Sequence, residues 1–363
     1  MDLFERVGDD DYEQIVFCHD RRTGLRAIIA VHSTVLGPAL GGTRFRPYPD
    51  TETALEDVLR LAKGMTYKSA LARLDLGGGK AVILGDPATD KTEALLRAYG
   101  RHVDALGGRY VTAEDVGTTQ ADMDVILRET RHVTGASPSL GGSGDPSAAT
   151  AEGVLHAMRA VADHLWGAPV LAGRHVVVSG VGKVGSHVAR RLVEEGARVT
   201  VSDVVGATVD RVAGALGVDV VSADKAHAVD CDVFSPCALG GVLSAATIPE
   251  LHCAAVVGSA NNQLADASCA AELQAAGVVY APDYVVNAGG VIDIAEGLRG
   301  YDADRAAPAV AEIFRTTAAV LALADAQRVT TVEAADRLAE RRIAEVGGVR
   351  MIRRATGSWE APR

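Results

Sequence analysis

Two lysines stand beside runs of small residues in the front part of the chain: Lys68 in Gly64-Met-Thr-Tyr-Lys68 and Lys80 in Leu76-Gly-Gly-Gly-Lys80. A lysine lining a cleft can hold a carboxylate by charge, or act as a base where burial favours the neutral amine. Three glycines ahead of Lys80 suggest a tight backbone path along which a small ligand can come close. They are not a phosphate loop, because G-x-x-x-x-G-K-[S/T] is absent. An acidic partner is on hand in Asp115, within Thr112-Ala-Glu-Asp-Val-Gly-Thr118. Spacing alone favours a solvated surface charge for each lysine, since lysines are seldom buried.

A second constellation begins at His175. The run His175-Val-Val-Val-Ser-Gly-Val-Gly-Lys-Val-Gly185 reads as a strand entering G-x-G-x-x-G. Gly180 permits the tight turn, Gly182 lets a pyrophosphate approach the backbone, and Gly185 lets the next helix pack close to the strand. That helix, opening at Lys183 and Val184, offers free N–H groups and its positive end to phosphates. Asp203 follows the last glycine by eighteen residues, at the end of the next strand. A carboxylate there accepts hydrogen bonds from ribose hydroxyls and repels a 2′-phosphate, which favours NAD over NADP. Val204-Val205-Gly206 supplies no arginine for such a phosphate.

Composition narrows the classes. With 363 residues the chain is longer than one core usually serves, so two domains are expected. A net charge of −11 disfavours a nucleic-acid partner. Apolar runs such as Ala27–Val31 and Ala318–Ala324 are short of a membrane span, and the acidic start, Met1–Asp11, carries no apolar signal core. A cytoplasmic protein is expected. Five scattered cysteines without C-x-x-C, and ten histidines without H-E-x-x-H, give no disulfide framework and no metal site. A dehydrogenase of 2-hydroxy acids would need a histidine–carboxylate pair; His19, His102 and His132 stand in no such setting and read as surface or core residues.

These groups must be positioned by alternating elements. Gln14–Cys18 and Leu25–His32 read as strands. Thr51–Lys63, Lys91–Leu106 and Gln120–Arg128 read as helices, with Gly-rich connections at Gly77–Gly79 and Gly107–Gly108. From Pro146 the alternation is regular: helix Thr150–Leu165, strand His175–Ser179, helix Val184–Glu195, strand Arg198–Ser202. Strand signals recur at Val218–Val221, Asp232–Phe234, Ala254–Gly258 and Val278–Ala281. That rhythm implies βαβ units and a parallel sheet. Helices Asp304–Leu323 and Thr331–Glu345 follow, and Gly347–Arg363 reads as frayed. The expectation is an α/β chain of two domains separated by a cleft. Residues 1–140 form an N-terminal α/β substrate and oligomerisation domain, to which helices in 330–363 return, and 141–329 form a Rossmann-type NAD-binding domain.

Seven blocks, in order, resemble the glutamate/leucine/phenylalanine/valine dehydrogenase family, on its valine and leucine side. They are Pro38-Ala-Leu-Gly-Gly-Thr-Arg44, the two lysine blocks, Thr112–Thr118, Cys237-Ala-Leu-Gly-Gly241, Gly258-Ser-Ala-Asn-Asn-Gln-Leu264 and Ala281-Pro-Asp-Tyr-Val-Val-Asn-Ala-Gly-Gly290. The resemblance implies that Lys68 binds the substrate carboxylate, Lys80 is the catalytic base and Asp115 assists proton transfer. It implies Gly41, Gly42 and Met65 in the substrate cleft and Asn262 near the amino group. Thr150, Ala238, Asn261 and Asn287 become cofactor contacts. The implied reaction takes an amino acid to its 2-oxo acid, ammonia and NADH, reversibly, in a homo-oligomer of dimer size or larger.

Side-chain specificity is implied by the same match. Glutamate-specific relatives carry a lysine where this chain has Leu40, and burying a glutamate side chain there without a partner would cost several kcal/mol. Leu40, Ala113, Val291 and Ile294 match the family's side-chain pocket and point to a short aliphatic substrate: valine, leucine or isoleucine. Phenylalanine within the same family, and a non-catalytic NAD-binding regulator outside it, are the alternatives.

Overall fold

The computed structural model describes residues 7–8 and 10–348. The expectation for Gly347–Arg363 therefore lies outside the described residues from position 349 onward, and that for Met1–Asp11 largely so. The chain forms two compact units. The first takes the described residues up to Asp145, with Asp293–Ala303 and the end of the last helix from Ala339; the second is Pro146–Ile292 with Asp304–Leu338.

The first unit is built on a five-stranded sheet in the order β1-β2-β4-β3-β5. Its strands are β1 (Gln14–Asp20), β2 (Leu25–Ser33), β3 (Ala39–Arg46), β4 (Gly77–Leu84) and β5 (Tyr110–Glu114). β2 runs antiparallel to β1 and β4, while β3 runs parallel to β4 and β5. Side chains alternate across a strand, so each face has its own core. One face buries Ala27, Ile29, Phe45, Ala81, Ile83 and Tyr110 with Leu95, Leu96, Tyr99, Met123 and Ile126. The other buries Ile28, Ala30 and Val82 under Ala54, Leu55, Val58, Leu59 and Ala62 of helix Thr51–Leu71.

Two expectations change here. Gly77–Gly79 is the start of β4, not a connection. Glycine weakens strand signals, yet each of these is demanded by crowding: a Cβ on Gly77 would lie 1.8 Å from the Ser33 carbonyl oxygen, and one on Gly78 2.0 Å from the Thr66 nitrogen. What comes close to Gly77 and Gly78 is the protein's own backbone, and to Gly79 the Tyr110 ring, 2.8 Å from where a Cβ would lie. The first helix runs on past Lys63 to Leu71. Gly64 lies mid-helix and exposed, where it costs about 1 kcal/mol relative to alanine but does not break the turn. Asp50 caps this helix through Thr53 N–H.

The second unit carries a six-stranded sheet in the order β11-β10-β9-β6-β7-β8, parallel throughout. β6 (His175–Ser179) and β7 (Arg198–Ser202) have β8 (Asp219–Val220) at one edge; β9 (Cys231–Pro236), β10 (Cys253–Val256) and β11 (Val279–Tyr280) extend the other way. The strand order reverses between β6 and β9, the point at which doubly wound sheets bind ligands. The fold is thus α/β, with a mixed-sheet unit and a Rossmann-type parallel sheet.

By length and apolarity Ala303–Gln327 could cross a membrane. It is two helices, Ala303–Ala311 and Ile313–Gln327, with Pro308 inside the first. Ile313, Thr316, Thr317, Val320, Leu321 and Ala324 are buried, as the inner stripe of a core helix is.

Candidate active site

Register places the chemistry on one face of the first sheet. Leu40 of β3 pairs with Gly78 of β4 and Val111 of β5, and Gly42 pairs with Ala113. Period-two alternation then puts Leu40, Gly42 and Arg44, Gly78 and Lys80, and Ala113 and Asp115 on the face that helix Thr51–Leu71 covers. Lys80 sits between Gly78, which touches the helix backbone, and Val82, which packs beneath it. Lys68 lies in the last turn of that helix, two residues beyond the Thr66 that Gly78 meets. The glycine at 78 therefore fixes the height of the Lys68-bearing turn above the Lys80-bearing strand.

Lys80 is buried, and its Nζ lies 2.9 Å from Asp115 Oδ2. Asp115 follows β5 directly, held by Asp115 N–H to Thr118 Oγ1 at 2.9 Å, while the Thr118 hydroxyl donates to the Thr43 carbonyl. Burial pushes the Asp115 carboxyl up, but the charges of Lys80 and Arg44, with hydrogen bonds from Lys80 and Val116 N–H, hold it down at about 2. A carboxylate kept ionised against a buried lysine is an acid–base pair sheltered from bulk water. Its Cβ lies 3.0 Å from where a Cβ on Gly42 would be, so only glycine leaves this approach open. The Gly41 carbonyl accepts from the buried Tyr110 hydroxyl at 2.5 Å. Met65 and Lys68 are half-buried; Leu40 and Ala113 are fully buried beside the pair.

The remaining residues expected around substrate and cofactor lie elsewhere in the chain. Val291 belongs to the second unit and Ile294 to the first, both on helix Gly289–Glu296. The Ile294 carbonyl accepts from Thr134 Oγ1. Asn262 is exposed on the second unit with φ +52°, and its carbonyl accepts Gly241 N–H. It is grouped there with Asn261, which takes a hydrogen bond from Asn287 Nδ2 at 2.7 Å. Thr150 Oγ1 bonds back to the Pro146 carbonyl, and Gly290 leaves room for it: a Cβ there would fall 2.6 Å from that oxygen.

The loops after β6 and β9 meet at the switch point, where Cys237 N–H donates to the Ser179 carbonyl. Gly180 has φ +98° and would clash with Ala238 if it carried a Cβ; one on Gly185 would lie 1.9 Å from the Gly180 carbonyl. At Gly182 a Cβ would meet nothing within 4 Å, and helix Lys183–Glu194 starts there without a side-chain cap. Asp203 accepts from Val181 N–H at 2.9 Å and from Val205 N–H at 3.0 Å, which orients its carboxylate at the end of β7. An open glycine turn, a helix start without a side-chain cap and an aimed acid suit a dinucleotide. Among the described residues no group of three or more His, Cys, Asp or Glu is placed to hold a metal ion.

Known proteins match this arrangement along nearly its whole length. The family model described as the Glu/Leu/Phe/Val dehydrogenase dimerisation domain fits residues 12–132, and that of glutamate/leucine/phenylalanine/valine dehydrogenase fits 141–215 and 207–346. The chain belongs to this family. Leucine dehydrogenase of Geobacillus stearothermophilus is 51% identical over 343 residues, 94% of either chain. Valine dehydrogenase of Streptomyces virginiae is 52% identical over 337 residues, 92% of this chain and 94% of that one. Among solved structures, L-tryptophan dehydrogenase from Nostoc punctiforme superposes with a TM-score of 0.85 at 42% identity, covering 95% of this chain and 99% of its own.

Beyond the expected residues, Arg44 and Asp57 join the candidate site. Arg44 Nε lies 3.0 Å from the same Asp115 oxygen that Lys80 contacts, and its NH1 lies 2.9 Å from Asp57 Oδ2. The signal was available: Arg44 is two residues beyond Gly42, hence on the same face, and Asp57 is a charge set among the apolar positions of its helix.

Proposed function

We propose that this family member catalyses the NAD-dependent oxidative deamination of a branched-chain aliphatic L-amino acid to its 2-oxo acid and ammonia, reversibly. The observation that carries the reading is the Lys80–Asp115 pair sunk beside Leu40 and Ala113, in a chain half identical to leucine and valine dehydrogenases. Those relatives disfavour phenylalanine as the preferred substrate, and an intact acid–base pair disfavours a non-catalytic regulator.

In this reading the Lys68 ammonium holds the substrate carboxylate, with Met65 and the Gly41–Gly42 backbone shaping its seat. NAD would be held by the Gly180–Gly185 turn and Asp203 and would supply the acceptor for the hydride from Cα. Lys80 Nζ takes a proton from the substrate ammonium and passes it to solvent. Neutral again, it takes the proton of the attacking water and returns it to the nitrogen that leaves as ammonia, while the carbinolamine hydroxyl proton goes to solvent as the carbonyl forms. Asp115 is its charged partner throughout. Ala238, Asn261, Asn262, Asn287 and Thr150 flank the cofactor. Leu40, Ala113, Val291 and Ile294 accept the aliphatic side chain. The nearest cation along β3, Arg44, is bound by two carboxylates, so a glutamate side chain finds no counter-charge at Leu40. Valine and leucine differ by one methylene, worth about 1–3 kcal/mol, so both should react.

We further read the chain as a soluble cytoplasmic enzyme and a homo-oligomer of dimer size or larger. The matched dimerisation domain supports the latter, as does edge strand β1, whose Phe17 is 54% exposed. The test is NADH formation at alkaline pH across L-leucine, L-valine, L-isoleucine, L-phenylalanine, L-tryptophan, L-glutamate and 2-hydroxy acids. Highest kcat/KM on the branched-chain three is expected; preference for glutamate or an aromatic amino acid would overturn the reading.

A further inference from the structure

Asp115 Oδ2 faces two cations at once, Lys80 Nζ at 2.9 Å and Arg44 Nε at 3.0 Å. All three side chains are sheltered, with 8%, 19% and 15% of Lys80, Asp115 and Arg44 exposed. A base that shuttles protons spends part of each turnover neutral. If Lys80 were the sole counter-ion, every proton it gave up would strand a carboxylate in a low-dielectric setting, and that cost would oppose the release. Arginine does not deprotonate in proteins, so its charge on Oδ2 persists through both states of Lys80.

We infer that Arg44 is a positioning residue that keeps Asp115 paired while Lys80 is neutral, and so permits Lys80 to cycle its proton. This rests on the reading of Lys80 as the base. Arg44 is itself anchored. Its NH1 meets Asp57 Oδ2 at 2.9 Å, and Asp57 also takes the Tyr48 hydroxyl at 2.8 Å and Arg60 NH2 at 3.0 Å. Around Arg44 and Asp115 stand Lys80 from β4, Asp57 and Arg60 from helix Thr51–Leu71, Tyr48 from the segment after β3 and Tyr110 from β5, whose hydroxyl feels the Asp115 charge. The Arg46 guanidinium stacks 5.1 Å from the Tyr48 ring centre. Arg60 is 58% exposed and screened, so Arg44 is the sheltered arginine of this set. The low titration of Asp115 agrees with two cations on one carboxylate.

The two ends of the network should act with opposite sign. Removing the Arg44 charge makes proton loss from Lys80 harder, whereas removing the Asp57 charge makes it easier. The experiment is kcat/KM for L-leucine with NAD across pH for wild type, Arg44→Gln, Arg44→Lys and Asp57→Asn, with a melting curve for each. In Arg44→Gln the rising limb should move up by about one pH unit or more, which lowers kcat/KM about tenfold near pH 8, with the alkaline plateau kept within a few-fold. Arg44→Lys should restore the limb, and Asp57→Asn should move it down. An Arg44→Gln loss that is equal at every pH, or an unshifted profile, would overturn the assignment. If Arg44→Gln does not fold, an unshifted or upward limb in Asp57→Asn overturns it instead. Inactivity of the wild-type chain on every amino acid would sink the function itself, which is a separate outcome.

Discussion

Gly78→Ala probes the contact that sets the two lysines against each other. Gly78 is not at positive φ, so alanine costs nothing in backbone conformation there, and the effect is steric. The new Cβ would sit 2.0 Å from Thr66 N, 2.2 Å from Thr66 Oγ1 and 2.5 Å from Thr66 Cα. Non-bonded carbon contacts settle near 3.5 Å or beyond, so the helix must retreat by about 1.5 Å. Two of the three atoms are backbone and cannot rotate away. Overpacking usually costs about 1–3 kcal/mol, and a clash with a helix backbone belongs at the upper end. At roughly 2–4 °C per kcal/mol, a cost of about 3 kcal/mol lowers Tm by about 6–12 °C. The retreat carries Lys68 away with Thr66, so KM for the amino acid should rise more than kcat falls. Gly64→Ala is the internal control on the same helix: its Cβ meets nothing within 4 Å, and helix propensity should raise stability by about 1 kcal/mol. Thermal melts and steady-state kinetics on both variants decide the matter. A Gly78→Ala protein that melts at or above wild type, or two alanines that shift Tm in the same direction, would refute the packing argument.

Asp203→Ala should weaken NAD binding and narrow the preference over NADP, since ribose hydrogen bonds and phosphate repulsion are lost together; wild-type protein that uses both cofactors equally would remove this role from Asp203. Asp115 titrates lower in the folded chain than in the unfolded one, so its stabilising contribution is full above about pH 4 and fades as pH falls toward 2. Denaturant titrations should show Asp115→Asn trailing wild type by about 2 kcal/mol or more at neutral pH, with the gap closing by about that amount near pH 2. A gap independent of pH would contradict the ion-pair account.

Much of this could be read from residue types. The glycine turn after His175–Ser179 and the acid at 203 have one structural solution: Gly180 and Gly185 answer distinct steric demands within the chain, and Gly182 leaves the turn open. The regular alternation after Pro146 likewise leaves little besides a parallel sheet. The first unit was less legible. β4 opens with three glycines, which resemble a loop by propensity, and only the packing of Thr66 and Ser33 against them shows why a central strand tolerates them. Gly64 obscured the continuation of the helix to Leu71, and so the helical setting of Lys68. Lys80 and Asp115 were paired in advance by resemblance, but nothing local states that Arg44 shares the same oxygen. That depends on which strands lie side by side, and β3 joins β5 across sixty or more residues of sequence.

The central claim is that Lys80 moves protons while Lys68 holds the carboxylate, and the most direct measurement is steady-state kinetics of Lys80→Ala and Lys68→Ala with L-leucine and NAD. Lys80→Ala should lower kcat by several orders of magnitude with the amino acid still bound, because the base is lost and the charge clamp remains. Lys68→Ala should chiefly raise KM, for the amino acid and the 2-oxo acid alike, because the carboxylate is present in ground and transition states. Losses of equal size confined to KM in both variants would show that neither lysine is the base.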